Sequence, residues 1–138
     1  MNSELQKLVA VREYNPEVDK AFIMATFLRG LYYGDSWFSL MPKNNFMNAY
    51  KQVVSALIDR SGVYIACLKD DPNVILGYSI VSKDGSTLHW VFVKSIWRKN
   101  GVGKALLPKN LKCVTHLTAL GKQLLPKFEN CIFDPFNL

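Results

Sequence analysis

Between residues 88 and 107 the chain places a basic glycine loop between two apolar runs, and few folds accommodate that order. Leu88-His89-Trp90-Val91-Phe92-Val93 is short, β-branched and aromatic, which predicts a buried strand. Lys104-Ala105-Leu106-Leu107 favours helix. Between them stands Arg98-Lys99-Asn100-Gly101-Val102-Gly103. Glycines let a ligand reach the backbone without a Cβ in the way. The first amides of a helix have no partner inside the helix and point outward, and the helix dipole adds partial positive charge there. Strand, basic glycine loop and helix start together predict an anion cradle suited to a pyrophosphate.

Two familiar glycine patterns do not fit. A P-loop needs Gly-Lys followed by Ser or Thr, but Gly103-Lys104 is followed by Ala105 and position 98 is Arg. A dinucleotide fingerprint needs a third glycine where Leu106 stands. The stretch instead resembles the acetyl-coenzyme A site of the GNAT family of N-acetyltransferases. That family carries Arg/Gln-x-x-Gly-x-Gly/Ala at the end of its fourth strand, and Arg98, Gly101 and Gly103 occupy the three defined places. The phrase from Val91 to Arg98 is similar in its order of strand, short loop and aromatic before Arg, and Leu76-Gly77-Tyr78, in the middle strand of the meander, resembles a phrase common at the matching place in that family. The resemblance implies that Arg98, Lys99, Asn100, Gly101, Val102, Gly103, Lys104 and Ala105 hold the coenzyme phosphates. It also implies that the main chain of Val91, Phe92 and Val93 holds the pantetheine arm and the acyl carbonyl.

The turn residues and apolar spacings agree with that fold. Leu8 to Glu13 predicts a first strand. Asn15-Pro16-Glu17 reads as N-cap, first helical position and first-turn acid, opening a helix to about Tyr33 that Gly34 stops. Residues 35–43 form an aromatic loop, and Phe46, Tyr50, Val53, Val54, Leu57 and Ile58 mark a second helix from about Asn45 to Arg60. Val63–Leu68, Val74–Val81 and Thr87–Val93 predict an antiparallel meander with turns at 70–73 and 83–86. The glycine-loop helix starts near Val102 and is cut short by Pro108. Leu111–Leu117 reads as a strand, Thr118 as the cap of a helix to about Leu125, and Ile132-Phe133 as a last strand. The expectation is one α/β (α+β) domain over residues 1–138: a mixed, mostly antiparallel sheet flanked by helices, in the order β-α-α-β-β-β-α-β-α-β.

The charge is unevenly placed. The net charge is +6, yet residues 1–82 hold eight basic and eight acidic residues. Residues 83–138 hold nine basic residues and only Asp84, Glu129 and Asp134 as acids. That field suits a polyanion, either coenzyme A or a nucleic acid. Cys67, Cys113 and Cys131 lack metal-ligand spacing, and the first two lie in apolar runs, which points to reduced thiols and a cytoplasmic setting. No signal peptide, transmembrane span or metal site is expected.

Acyl transfer to an amine needs a base for the amine and donors for the developing oxyanion. His89 and His116 are the candidate bases. Tyr33 and Trp37, with Tyr32 and Phe38, stand where the family walls the acceptor site, and Tyr33 and Trp37 are the candidate acceptor contacts. Many family members carry a Tyr on the last helix as the acid for the leaving thiolate, but residues 118–128 contain no Tyr. The leading expectation is acetyl transfer from acetyl-coenzyme A to a small-molecule or protein amine. A catalytically weak or inactive coenzyme- or partner-binding module is the alternative. A tRNA- or base-directed acyltransferase is a third reading. A homodimer is left open.

Overall fold

A computed structural model describes residues 4, 7–118, 121–122, 125–128 and 130–138. Its strands are β1 (Val9–Glu13), β2 (Gly62–Leu68), β3 (Asp71–Val81), β4 (Thr87–Val93), β5 (Cys113–Val114) and β6 (Ile132–Phe133). Its helices are α1 (Pro16–Gly34), α2 (Lys43–Arg60) and α3 (Val102–Leu106). The six strands lie in sequence order across one sheet. The first four run antiparallel as a meander, while β5 and β6 join in parallel. This is the expected mixed, mostly antiparallel sheet flanked by helices.

The ends of α1 follow from local chemistry. Asn15 Oδ1 accepts from the Glu17 amide at 3.2 Å, and Pro16 spends no backbone donor where none is needed. Arg12 of β1 grips Asp19 in the first turn with two bonds of 2.7 and 2.8 Å, and the Asn15 amide adds a third at 2.8 Å. Burial pushes the Asp19 carboxyl up, but the bonds from Arg12 and Asn15 and the Arg12 charge outweigh it and hold the group below its ordinary value.

Side chains sort onto two faces of the sheet. Ile23, Phe27 and Leu31 of α1 and Phe46, Val54 and Leu57 of α2 bury against Ile65, Tyr78, Ile80 and Trp90. On the other face, Val102 and Leu106 of α3 pack on Ala66 and Leu76, with Val91, Val93 and Trp97 alongside. Two irregularities adjust this sorting. Between β2 and β3 the register slips after Ala66, which places Leu76 and Gly77 together on the α3 side. A Cβ at Gly77 would overlap the Phe92 carbonyl oxygen, so only glycine fits that crossing. Between β3 and β4, Ile80 pairs with Trp90 but Val81 pairs with Leu88, leaving His89 as an extra residue.

Some expectations shift. Helix α1 runs one residue past the expected end at Tyr33, to Gly34, so Tyr32 and Tyr33 sit in its last turn beside the loop. The strand expected over residues 111–117 shortens to Cys113–Val114. Helix α3 has five residues and ends before Pro108, as the proline requires. Thr118 Oγ1 accepts from the Gly121 amide at 3.3 Å, as a cap would. Residues 119–120 and 123–124 of the expected helix lie outside the described residues. No described helix is long and apolar enough to cross a membrane.

Candidate functional site

Strand β5 accompanies β4 only briefly. Thr87 and Leu88 pair with Cys113 and Val114, and the Thr115 amide donates to the Leu88 carbonyl at 3.1 Å. Beyond that point the two parallel strands part company. Val91, Phe92 and Val93 pair with β3 on one side and face no strand on the other among the described residues. Parallel strands that diverge leave a wedge whose wall is open main chain.

The glycine loop closes the end of that wedge. A turn of 3₁₀ helix, Ser95–Trp97, carries the chain out of β4. Arg98 Nε then donates to the Val93 carbonyl at 3.0 Å, tying the loop back to the strand. Lys99 has φ 65° and Gly101 φ 81°, so two of three successive residues are left-handed. Asn100 Nδ2 donates to the Arg98 carbonyl at 3.1 Å. The chain enters α3 at Val102, with Gly103, Lys104 and Ala105 in the short helix. Gly103 differs from Gly101. An added Cβ there would meet only Val93 Cγ2, at 3.6 Å, an ordinary contact. Glycine within a helix costs about 0.5–1 kcal/mol relative to alanine. The fold gains nothing from it at 103, which fits a backbone position kept bare for a ligand.

On the helix face, Asp35 organises the loop after α1. Its Oδ1 accepts from the Trp37 amide at 2.7 Å and the Phe38 amide at 3.1 Å. Trp37 is 72% exposed and Tyr33 62%. Phe38 turns inward against Phe46 and Tyr50. Tyr32 is buried and donates to the Met41 carbonyl at 2.7 Å. Of the four aromatics, Tyr33 and Trp37 are therefore the two free to meet a ligand.

The structure brings the two histidines together. His89 is 4% exposed, more deeply placed than a half-buried strand residue. Simple alternation would put it opposite Trp90. The bulge breaks that alternation: Leu88 and Val91 both pack on the α3 side, so His89 shares the helix face with Trp90. Its Nδ1 lies 2.9 Å from Thr115 Oγ1, which lies 2.9 Å from His116 Nδ1. His116 Nε2 makes a short hydrogen bond with the Tyr50 hydroxyl. The His116 ring sits edge-on to Phe27 at 5.4 Å. Burial, then the nearby His89, pushes His116 down to about 4. Burial, then Arg60, lowers His89. Burial raises the Tyr50 hydroxyl to about 12. Tyr50 and Thr115 escaped the sequence reading. Tyr50 falls on the apolar spacing of α2, and Thr115 is an ordinary strand residue. The adjacency of Thr115 to His116 was the one available signal.

The comparisons place this architecture. A candidate acetyl transferase from Pyrococcus furiosus superposes with a TM-score of 0.57 at 13% identity, over 91% of this chain and 81% of that one. A GCN5-related N-acetyltransferase from Rhodopseudomonas palustris superposes with a TM-score of 0.50 at 21% identity, over 72% of this chain and 61% of that one. The chain thus spans about three fifths of the length of the latter. No protein-family model and no curated protein sequence matches it. At these identities the likeness is one of fold: the chain has the GNAT fold. The nucleic-acid and homodimer readings gain no support.

Proposed function

We propose that the protein is an N-acetyltransferase that uses acetyl-coenzyme A and transfers the acetyl group directly to an amine. One observation carries this reading: the open edge of β4 at Val91–Val93 runs directly into the basic loop that Arg98 ties down. The bare backbone at Gly103 fits a phosphate-bearing ligand lying against α3.

When bound, the coenzyme would supply the activated acetyl thioester. The chain's residues account for the rest. Amides of residues 99–104 and the charges of Lys99 and Lys104 receive the phosphates, whereas the Ala105 amide, expected among them, is spent on the Gly101 carbonyl at 3.1 Å. The main chain of Val91–Val93 holds the arm by strand-like hydrogen bonds and fixes its depth in the wedge. Tyr33 and Trp37 present apolar area to the acceptor at the wedge mouth. Burial favours the neutral imidazoles of His89 and His116, but both His116 nitrogens are engaged, by Tyr50 and Thr115, and His89 Nδ1 by Thr115, so the two rings act on the acceptor amine through those partners rather than by direct contact.

Gly103→Val tests the reading cleanly, whereas any residue with a Cβ at Gly101 is strained by its φ of 81°. Gly103→Val should keep the wild-type circular dichroism and melting temperature. Its coenzyme A affinity by calorimetry should drop at least tenfold. Unchanged affinity in the folded variant would remove the coenzyme assignment.

A further inference from the structure

We propose that Tyr50, Thr115, His116 and His89 form one proton-conducting chain. It runs from beneath the acceptor loop, through the sheet edge, to a polar surface depression at His89. The inference rests on the acetyl-transfer reading for its use and on geometry for its existence.

The links are continuous. Tyr50 bonds His116 Nε2, His116 Nδ1 meets Thr115 Oγ1 at 2.9 Å, and the same oxygen meets His89 Nδ1 at 2.9 Å. Tyr50 lies under the loop, in ring contact with Phe38 at 5.4 Å. His89 lines a depression with Arg60, Ser82, Asp84 and Asn137. The chain therefore has an inner and an outer end.

The donor count restricts its states. Thr115 has one hydroxyl proton and two imidazole Nδ1 neighbours. With both rings neutral, the hydroxyl donates to one Nδ1 and accepts from the other. If Tyr50 donates to His116 Nε2, then His116 carries its proton on Nδ1 and gives it to Thr115. Thr115 then donates to His89 Nδ1, and His89 carries its proton on Nε2. The reverse polarity inverts every link. In both states the two histidines are opposite tautomers.

Switching between the states moves one proton. The Tyr50 oxygen takes a proton from the acceptor ammonium as its own passes to His116 Nε2. The Nδ1 proton of His116 passes to Thr115, whose proton passes to His89 Nδ1. His89 releases its Nε2 proton to water in the depression. Each member is neutral before and after, and one N–H or O–H bond forms for each that breaks. Tyr50 then gives its proton to the departing thiolate and takes one from His116 Nε2, and the relay refills from water at His89 Nε2, which restores the first polarity. The charged groups around the chain are Asp35 by Tyr50 and His116, Arg60 by His89, and Lys83 and Asp84 at the depression. Burial keeps both rings neutral near pH 7, which the donor count requires.

The protein contains two histidines, so ¹⁵N imidazole spectra of the intact chain are directly readable. At pH 7 one ring should be Nδ1–H and the other Nε2–H. Tyr50→Phe should change the tautomer balance of His89, although the two residues do not touch. Thr115→Val should abolish that response, and Thr115→Ser should restore it. Identical tautomers in the wild type, or a His89 signal blind to Tyr50→Phe, would overturn the chain. In turnover, Thr115→Val should lower kcat about tenfold or more with coenzyme affinity unchanged, within the range of a lost proton-transfer route, and Thr115→Ser should recover it. A folded Thr115→Val protein with wild-type kcat overturns the catalytic use even if the tautomers pair. If the wild type acetylates no amine, the acetyl-transfer reading fails, and the spectra alone decide whether the chain exists.

Discussion

Asp19→Asn should be a costly change even though it touches neither proposed site. The Asp19 side chain is fully buried and holds both Arg12 terminal nitrogens and the Asn15 amide. An asparagine keeps the shape but removes the charge facing Arg12. Breaking a buried pair from one side costs about 3–5 kcal/mol. The Arg12 side chain is 21% exposed and can draw on water, which argues for the lower end, about 3 kcal/mol. With an unfolding entropy of about 2.1 cal/mol/K per residue, 138 residues give about 0.3 kcal/mol/K, so the melting temperature should fall by about 10 °C. Calorimetric melts at pH 7 measure this. The pH dependence has a definite sign. The folded carboxyl lies below its unfolded value, so its contribution is complete above the ordinary carboxylate range near 4 and is lost as pH falls through the lower folded value. The variant should lack that acid limb. Arg12→Met combined with Asp19→Leu should recover part of the loss, because the desolvation cost of the pair disappears while the Asn15 amide is left without its acceptor. A melting temperature for Asp19→Asn within about 2 °C of wild type would refute the reasoning, since it would place the pair in the range of exposed ones.

His116 should impose a separate dependence at higher pH. Its folded value near 4 lies below an unfolded value of about 6.5, so the contribution is full above 6.5 and erodes as pH falls toward 4, by about 3 kcal/mol at most. Denaturant titrations at pH 7.5 and 5 measure it, and His116→Gln should flatten the difference. Gly77→Ala should cost about 2 kcal/mol or more, because the new methyl overlaps the Phe92 carbonyl and the strands must part. Wild-type stability in that variant would mean the β3–β4 crossing is looser than described. Capture of coenzyme A followed by stopped flow should slow severalfold between about 0.01 and 0.15 M salt, as the screening length shrinks from about 30 to 8 Å. A flat rate would make the C-terminal lysines a solvated surface only.

Much of the architecture was legible because local signals and the global fold agreed. Asn15-Pro16-Glu17, the apolar spacing of α2 and the turn around Asp84 and Gly85 each act within a few residues. What escaped depends on pairing between distant segments. The bulge at His89 is a mismatch between β3 and β4, and neither strand shows it alone. Alternation along β4 therefore put His89 on the wrong side of Trp90. Residues 111–117 have strand composition, yet only Cys113 and Val114 pair as strand, because the chain leaves β4 after the Thr115 amide reaches the Leu88 carbonyl. Tyr50 and His116 are 66 positions apart, and their bond could not be read from either neighbourhood. The glycine loop was visible as a motif. The distinct needs of its two glycines, one conformational and one spatial, required the backbone angles and a Cβ placed on each.

The brevity of α3 has a further consequence for how an anion would be held. Five residues at about 1.5 Å each span only about 7.5 Å. The partial charges of about +0.5 and −0.5 at the two helix ends are then near neighbours, and each offsets most of the other's field. Under the proposed function, the short helix adds little dipole field, and the loop's own amides together with the lysine ammonium groups carry the grip. Such a grip is adaptable in position but sensitive to the electrolyte. The affinity of such a loop for an anion would then be set as much by the salt around it as by its own backbone.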